Sequence, residues 1–167
     1  NRPNFYNGNW DLAATWSSLA IAVLLDDREL FDSNIQRLKS FDVTNGSIYN
    51  YLLPSGQNAE TGRDQTHTQM GMYFMALCAQ IAWNQGIDLF ELEGRSIGRS
   101  FEYMAKYKLG SDDVPYQRYP APLYPLYGAT LNDTIRPSDI RRDRFAPVYQ
   151  MVYAHYKHYR NTELTYV

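Results

Sequence analysis

The run Glu60-Thr61-Gly62-Arg63-Asp64-Gln65-Thr66-His67-Thr68-Gln69 gathers a fixed cation, an imidazole that titrates near neutral pH and several amide donors. Together these types can hold an anion and move a proton. Read as a helix starting near Arg63, the run places Arg63 and His67 one turn apart on one face, with Gln65 and Gln69 on the neighbouring stripe. It leads directly into Met70–Trp83, a segment apolar nearly all round and too short and interrupted for a membrane span. The same spacing also fits the solvated first turns of a core helix, and spacing does not separate the two readings.

Other helices must position this run. Trp16, Leu19, Ala20, Val23 and Leu24 repeat at helical spacing, which predicts a first helix over about 11–25. Asp26 and Glu29 read as a capping box opening a second helix with the stripe Phe31, Ile35, Leu38, and the tight turn between them makes the pair antiparallel. Residues 41–58, with Asn45-Gly46 and Pro54-Ser55-Gly56, predict a long loop with at most one short strand. The apolar helix ends at Gly86, a C-terminal cap. A fourth helix is expected over about Leu92–Tyr107, and a last one over Phe145–Tyr159. Between them, residues 111–143 form an irregular loop with prolines 115, 120, 122, 125 and 137 separating tyrosines. Arg136, Arg141, Arg142 and Arg144 make a basic patch suited either to an anion or to pairing with Asp139 and Asp143.

Composition narrows the classes further. With 167 residues, 44% of them hydrophobic, the chain reads as a single domain or part of one. A net charge of −2 offers no field for nucleic acid. Cys78 stands alone inside an apolar helix and reads as a small buried hydrophobe, so no internal disulfide forms. His155 and His158 lack a carboxylate at ligand spacing and read as packing and surface residues, so no metal and no cofactor are expected. Zinc patterns, phosphate-binding glycine loops and serine nucleophile elbows are missing from the sequence. Fifteen tyrosines suit either sugar stacking or contacts between helices. Two sequons, at Asn45 and Asn132, are compatible with a secretory route.

Four pieces in order, Asn9-Trp10, Leu24–Asp32, Glu60–Gln69 and Ala82–Leu89, resemble the alginate lyase superfamily of polysaccharide lyases. The likeness runs from about Asn9 to Leu109 and returns at Arg144–Tyr156. It implies an all-α fold of antiparallel helix pairs wound into an incomplete α/α toroid. It also implies that these 167 residues are the later part of that domain, the N-terminal helices being absent, lost to proteolysis or supplied by a second chain. The expected partner is an acidic polysaccharide, with no nucleic acid and no membrane, and the expected location is secreted or periplasmic.

Lyases of this kind cut uronate chains by β-elimination. The resemblance aligns Asn9 and Arg63 with the groups that neutralise the substrate carboxylate, leaves His67 as the base, and makes a tyrosine the acid. Tyr73 is assigned to the catalytic set, with Tyr6 and Tyr116 as other tyrosines able to serve. Gln65, Gln69, Trp10, Tyr6, Glu60 and Tyr116 are assigned to substrate binding. Two departures stand out: Trp10 occupies the place of the signature histidine, and the tyrosine that follows the family arginine is replaced near Met70. Either other residues have taken over, or the fold has become a carbohydrate-binding one.

Overall fold

A computed structural model describes residues 8–41, 46–118 and 135–167. In chain order these form α1 (Gly8–Leu24), α2 (Arg28–Leu38), α3 (Ile48–Tyr51), α4 (Gln65–Asn84), the strands β1 (Glu91–Leu92) and β2 (Arg95–Ser96), then α5 (Ile97–Lys108) and α6 (Tyr149–Tyr159). The fold is all-α, with β1 and β2 making one small antiparallel hairpin.

Helix α4 is the centre. It packs on α1 on one side and on α5 on another, while α1 also carries α2 and α5 carries α6. Its buried residues Met72, Met75, Ala76, Cys78, Ala79 and Ala82 fall within about half of its circumference. Met70, Phe74, Leu77 and Ile81 on the opposite side are only half-buried, so the helix packs through one broad face rather than being enclosed all round. Leu12, Leu19 and Ala22 of α1 and Phe31, Ile35 and Leu38 of α2 complete one side of the core, and Ile97, Phe101, Met104 and Val152 the other. Each large side chain so enclosed contributes about 1.5–3 kcal/mol relative to leaving it in water. Cys78 is buried, and burial pushes its thiol pKa up.

Helix boundaries follow cap chemistry more closely than periodicity. The α2 cap is Asp27, whose side chain accepts from Leu30 N, rather than Asp26, which takes a left-handed φ of 53° in the turn after α1. Asp64 caps α4, so Arg63 lies in the preceding turn and not inside the helix. At the far end Gly86, at φ 82°, closes the expected cap: its N–H reaches Trp83 O and the N–H of Ile87 reaches Ala82 O.

Three expectations shift. Residues 48–51 form the short helix α3, capped by Ser47, and Leu52 bridges to Asn58, so residues 47–58 are more regular than the expected loop. The fourth helix begins at Ile97 because Glu93 and Gly94 turn the chain into the hairpin and Ser96 then supplies the cap. The last helix begins at Tyr149, since residues 144–148 are irregular, with a bend at Pro147 and the Val148 N–H bonded to Ala146 O. Within 111–143, residues 111–118 and 135–139 are irregular; Tyr119, Tyr124, Tyr127 and the Asn132 sequon lie outside the described residues, as do Tyr6 and Asn45.

His155 packs as read from the sequence: it is buried, stacked on Phe90 at 3.7 Å and edge-on to Trp83 at 4.8 Å. Burial lowers its pKa.

Candidate active site

The N-terminus of α4 carries the polar run, and one carboxylate organises it. Asp64 Oδ1 accepts from the backbone N–H groups of Thr66 and His67, both at 2.9 Å, as an N-cap should. Its other oxygen, Oδ2, lies 2.5 Å from His67 Nδ1. Although burial pushes the Asp64 carboxyl upward, the His67 N–H, the His67 ring and the Thr66 N–H hold it below its usual value. In the neutral imidazole an ionised Asp64 favours the tautomer with the proton on Nδ1, the one that leaves the lone pair on Nε2. The His67 side chain is 29% exposed, so that nitrogen is within reach of a ligand.

Arg63 joins the same cluster from the turn. Its Nη1 is 3.5 Å from Glu60 Oε2, and its Nε is 3.9 Å from Asp64 Oδ2. Glu60 is fully buried, and its Oε1 has no partner among the described residues. Burial raises its pKa to about 7, with Arg63 only partly offsetting that effect. A second set of bonds fixes the turn: Asn58 Oδ1 accepts from Glu60 N and Thr61 Oγ1.

Asn9 reaches this site from α1. Its Nδ2 donates to His67 O at 2.9 Å, and its Oδ1 accepts from the Tyr51 hydroxyl at 2.5 Å. All three meet because position 71 is glycine; a Cβ there would overlap both the Tyr51 hydroxyl and Asn9 Oδ1. Asn9 is itself buried, so it holds α1 against the start of α4, while Trp10 beside it is 61% exposed.

Gln65 and Gln69 face the other way. Gln65 Nε2 donates to Ser138 O at 2.9 Å, and Gln69 Nε2 to Arg144 O at 3.0 Å. Gln69 Oε1 accepts from Ala146 N and from the Tyr149 hydroxyl. Both glutamines are buried and tie residues 138–146 across the head of α4. Residues 135–140 border a cleft of about 470 Å³ with Gly62 and Arg63. A second cleft, of about 510 Å³, lies between Thr66, Met70 and Tyr73 of α4 and the Arg141–Val148 stretch. Tyr73 therefore lines the cleft next to the His67 turn. Tyr116 is half-buried beside Tyr103 of α5.

A family model described as alginate lyase matches residues 2–114. The chain belongs to the alginate lyase family. That span holds Asn9, Trp10, Tyr51, Glu60, Arg63, Asp64, His67 and Tyr73; the Arg144–Tyr149 resemblance lies beyond it. No curated protein and no solved structure matches the chain. Membership of the alginate lyase family makes polysaccharide lyase chemistry the frame for the site.

The structure draws Asn9, Glu60, Arg63 and His67 together, sets Tyr73 in the adjoining cleft, and uses Gln65 and Gln69 as clamps. Sequence reasoning missed two members. Asp64 was within the run, and its position three residues before a histidine at a helix start was the available signal. Tyr51 carried none, since nothing local shows that a tyrosine will reach Asn9.

Proposed function

We propose that this alginate lyase family member cleaves a uronate-containing polysaccharide, alginate or a glucuronan-like polymer, by β-elimination. The observation that carries the reading is the Asp64–His67 pair, which leaves Nε2 outward as a base beside a guanidinium. The substrate carboxylate meets Arg63 and the positive end of α4, which stabilise the charge that develops at the α-carbon. His67 Nε2 takes the C5 proton. The electrons of that C–H bond form the C4=C5 double bond as the C4–O bond breaks, and the leaving oxygen takes a proton from Tyr73. Trp10, exposed next to Asn9, gives a sugar ring a face to stack on.

The polymer is an extracellular material, so the proposal places the protein in a secreted or periplasmic setting. No helix among the described residues is long and apolar enough to cross a membrane. The incomplete toroid and a further helical layer against α1 belong to the same proposal; Ile21, Val23, Leu24 and Leu25 are the exposed apolar residues such a layer would cover.

The test is ultraviolet absorbance of the unsaturated product with alginate, glucuronan and related polymers. Activity should appear on at least one, His67→Ala should chiefly lower kcat, and Arg63→Ala should impair both KM and kcat. No unsaturated product from any polyuronate, or undiminished turnover in His67→Ala, would overturn the reading. A specific feature favours a second one, a carbohydrate-binding protein without elimination chemistry: the amides of Asn9, Gln65 and Gln69 are engaged in internal bonds. Binding without product formation is its signature.

A further inference from the structure

The four arginines of the late segment divide into two pairs. Arg136 is 2.9 Å from Asp139. Arg142 is turned inward: its guanidinium lies 3.8 Å from the Tyr107 ring centroid, its Nε donates to Tyr107 O, and its Nη1 is 2.6 Å from Asp112. Arg141 and Arg144 are exposed and make no ion pair among the described residues. Asp143 stands between the two in sequence, exposed, and its charge acts on Lys108.

Those two arginines are the ones that line the 510 Å³ cleft, together with Tyr73, Phe145, Met70 and Thr66. Their backbone is held from beneath. Lys108 Nζ donates to Arg141 O at 3.2 Å and to Arg142 O at 2.9 Å. Gln69 grips Arg144 O and Ala146 N. Arg141 itself takes a left-handed φ of 59°, a conformation disfavoured for arginine, which these bonds sustain. Its Nη1 lies 3.4 Å from Thr66 Oγ1, on the residue next to His67.

Two cations with no carboxylate partner among the described residues, on a fixed backbone and flanked by Tyr73 and Phe145, match one chemistry well. Guanidinium groups pair with planar carboxylates, and aromatic faces take sugar rings. We infer that the cleft between Tyr73 and Phe145 is a substrate subsite that reads a uronate carboxylate through Arg141 and Arg144, next to the sugar held at His67. The inference rests on the polyuronate reading above and adds to it two specificity residues that lie outside the span matched by the family.

The experiment separates binding from turnover. Calorimetric titration in the His67→Ala background would use a short oligoglucuronate, its carboxyl-reduced neutral counterpart and a sulfated oligosaccharide. Arg141→Gln and Arg144→Gln should each weaken oligoglucuronate binding about tenfold, the size of one charge-assisted hydrogen bond, and more together. The neutral oligomer should bind weakly to every variant. Arg28→Gln, which removes an equal charge from α2, should leave affinity unchanged, and thermal melts would verify folding. Lysine at both positions should restore part of the affinity. Unaltered oligoglucuronate affinity in the double glutamine variant, absent binding to the parent, equal affinity for the neutral oligomer, or tighter binding of the sulfated one would overturn the inference. Arginine-dependent binding, when the protein with His67 intact forms no unsaturated product, would retain the subsite and sink the lyase reading instead.

Discussion

His67 Nδ1 and Asp64 Oδ2 are 2.5 Å apart, and the same Asp64 carboxylate caps the helix on which His67 stands. Cap and base-orienting group are thus one residue. The imidazole is fixed relative to the helix terminus, because Oδ1 is already bonded to the two backbone N–H groups that define it.

Asp64→Asn separates the two tasks. Asparagine caps a helix about as well as aspartate, so the melting temperature should change little. Its amide can present N–H to Nδ1 and favour the tautomer with the proton on Nε2, the wrong one for a base. Turnover should fall about a hundredfold, read from initial rates of product formation. Asp64→Ala should in addition cost about 1 kcal/mol of stability, read from denaturant midpoints.

Glu60 makes stability depend on pH. Its folded pKa is raised to about 7 from 4.5, so the folded state binds the proton more tightly than the unfolded one. The resulting stabilisation is fully present below about pH 4.5 and is lost as pH rises through about 7, on the order of 3 kcal/mol in all. Glu60→Gln should flatten this component of the profile in denaturant titrations across that window. An unchanged slope would show that the Glu60 carboxyl titrates normally.

Position 71 tests the contact between α1, α3 and α4. In Gly71→Ala the added methyl overlaps the Tyr51 hydroxyl and Asn9 Oδ1, so α1 and α4 must move apart. A loss of roughly 1–3 kcal/mol is expected, as for other overpacked cores. Tyr51→Phe leaves Asn9 Oδ1 buried without its donor and should cost about 1–3 kcal/mol by a different route. Calorimetric melts of both variants would measure these losses.

Gln69→Leu removes the grip on the 144–146 stretch. Ala146 N and Arg144 O would lose their partner. A drop of about 1–3 kcal/mol is expected in the melt, with faster amide exchange at Ala146 than in the parent. Normal protection of Ala146 in this variant would show that Gln69 is not the clamp.

The sequence determined what is local. Apolar spacing fixed that α1, α2, α4, α5 and α6 exist, and Gly86 with its neighbours fixed where α4 stops, because a helix end must satisfy its own backbone groups within a turn. It also singled out residues 60–69, since a cation, an imidazole and amides at a helix start are visible in order. Only the tertiary structure decided how those groups are spent. Gln65 and Gln69 face a segment up to 80 residues later in the chain, and their bonds to it turn expected ligand donors into clamps. Arg142 and Arg144 are equivalent on paper, yet Tyr107 and Asp112 take one and leave the other in the cleft. Contacts of that range depend on how helices stack, and helix stacking is set by the whole core rather than by any neighbourhood of the sequence.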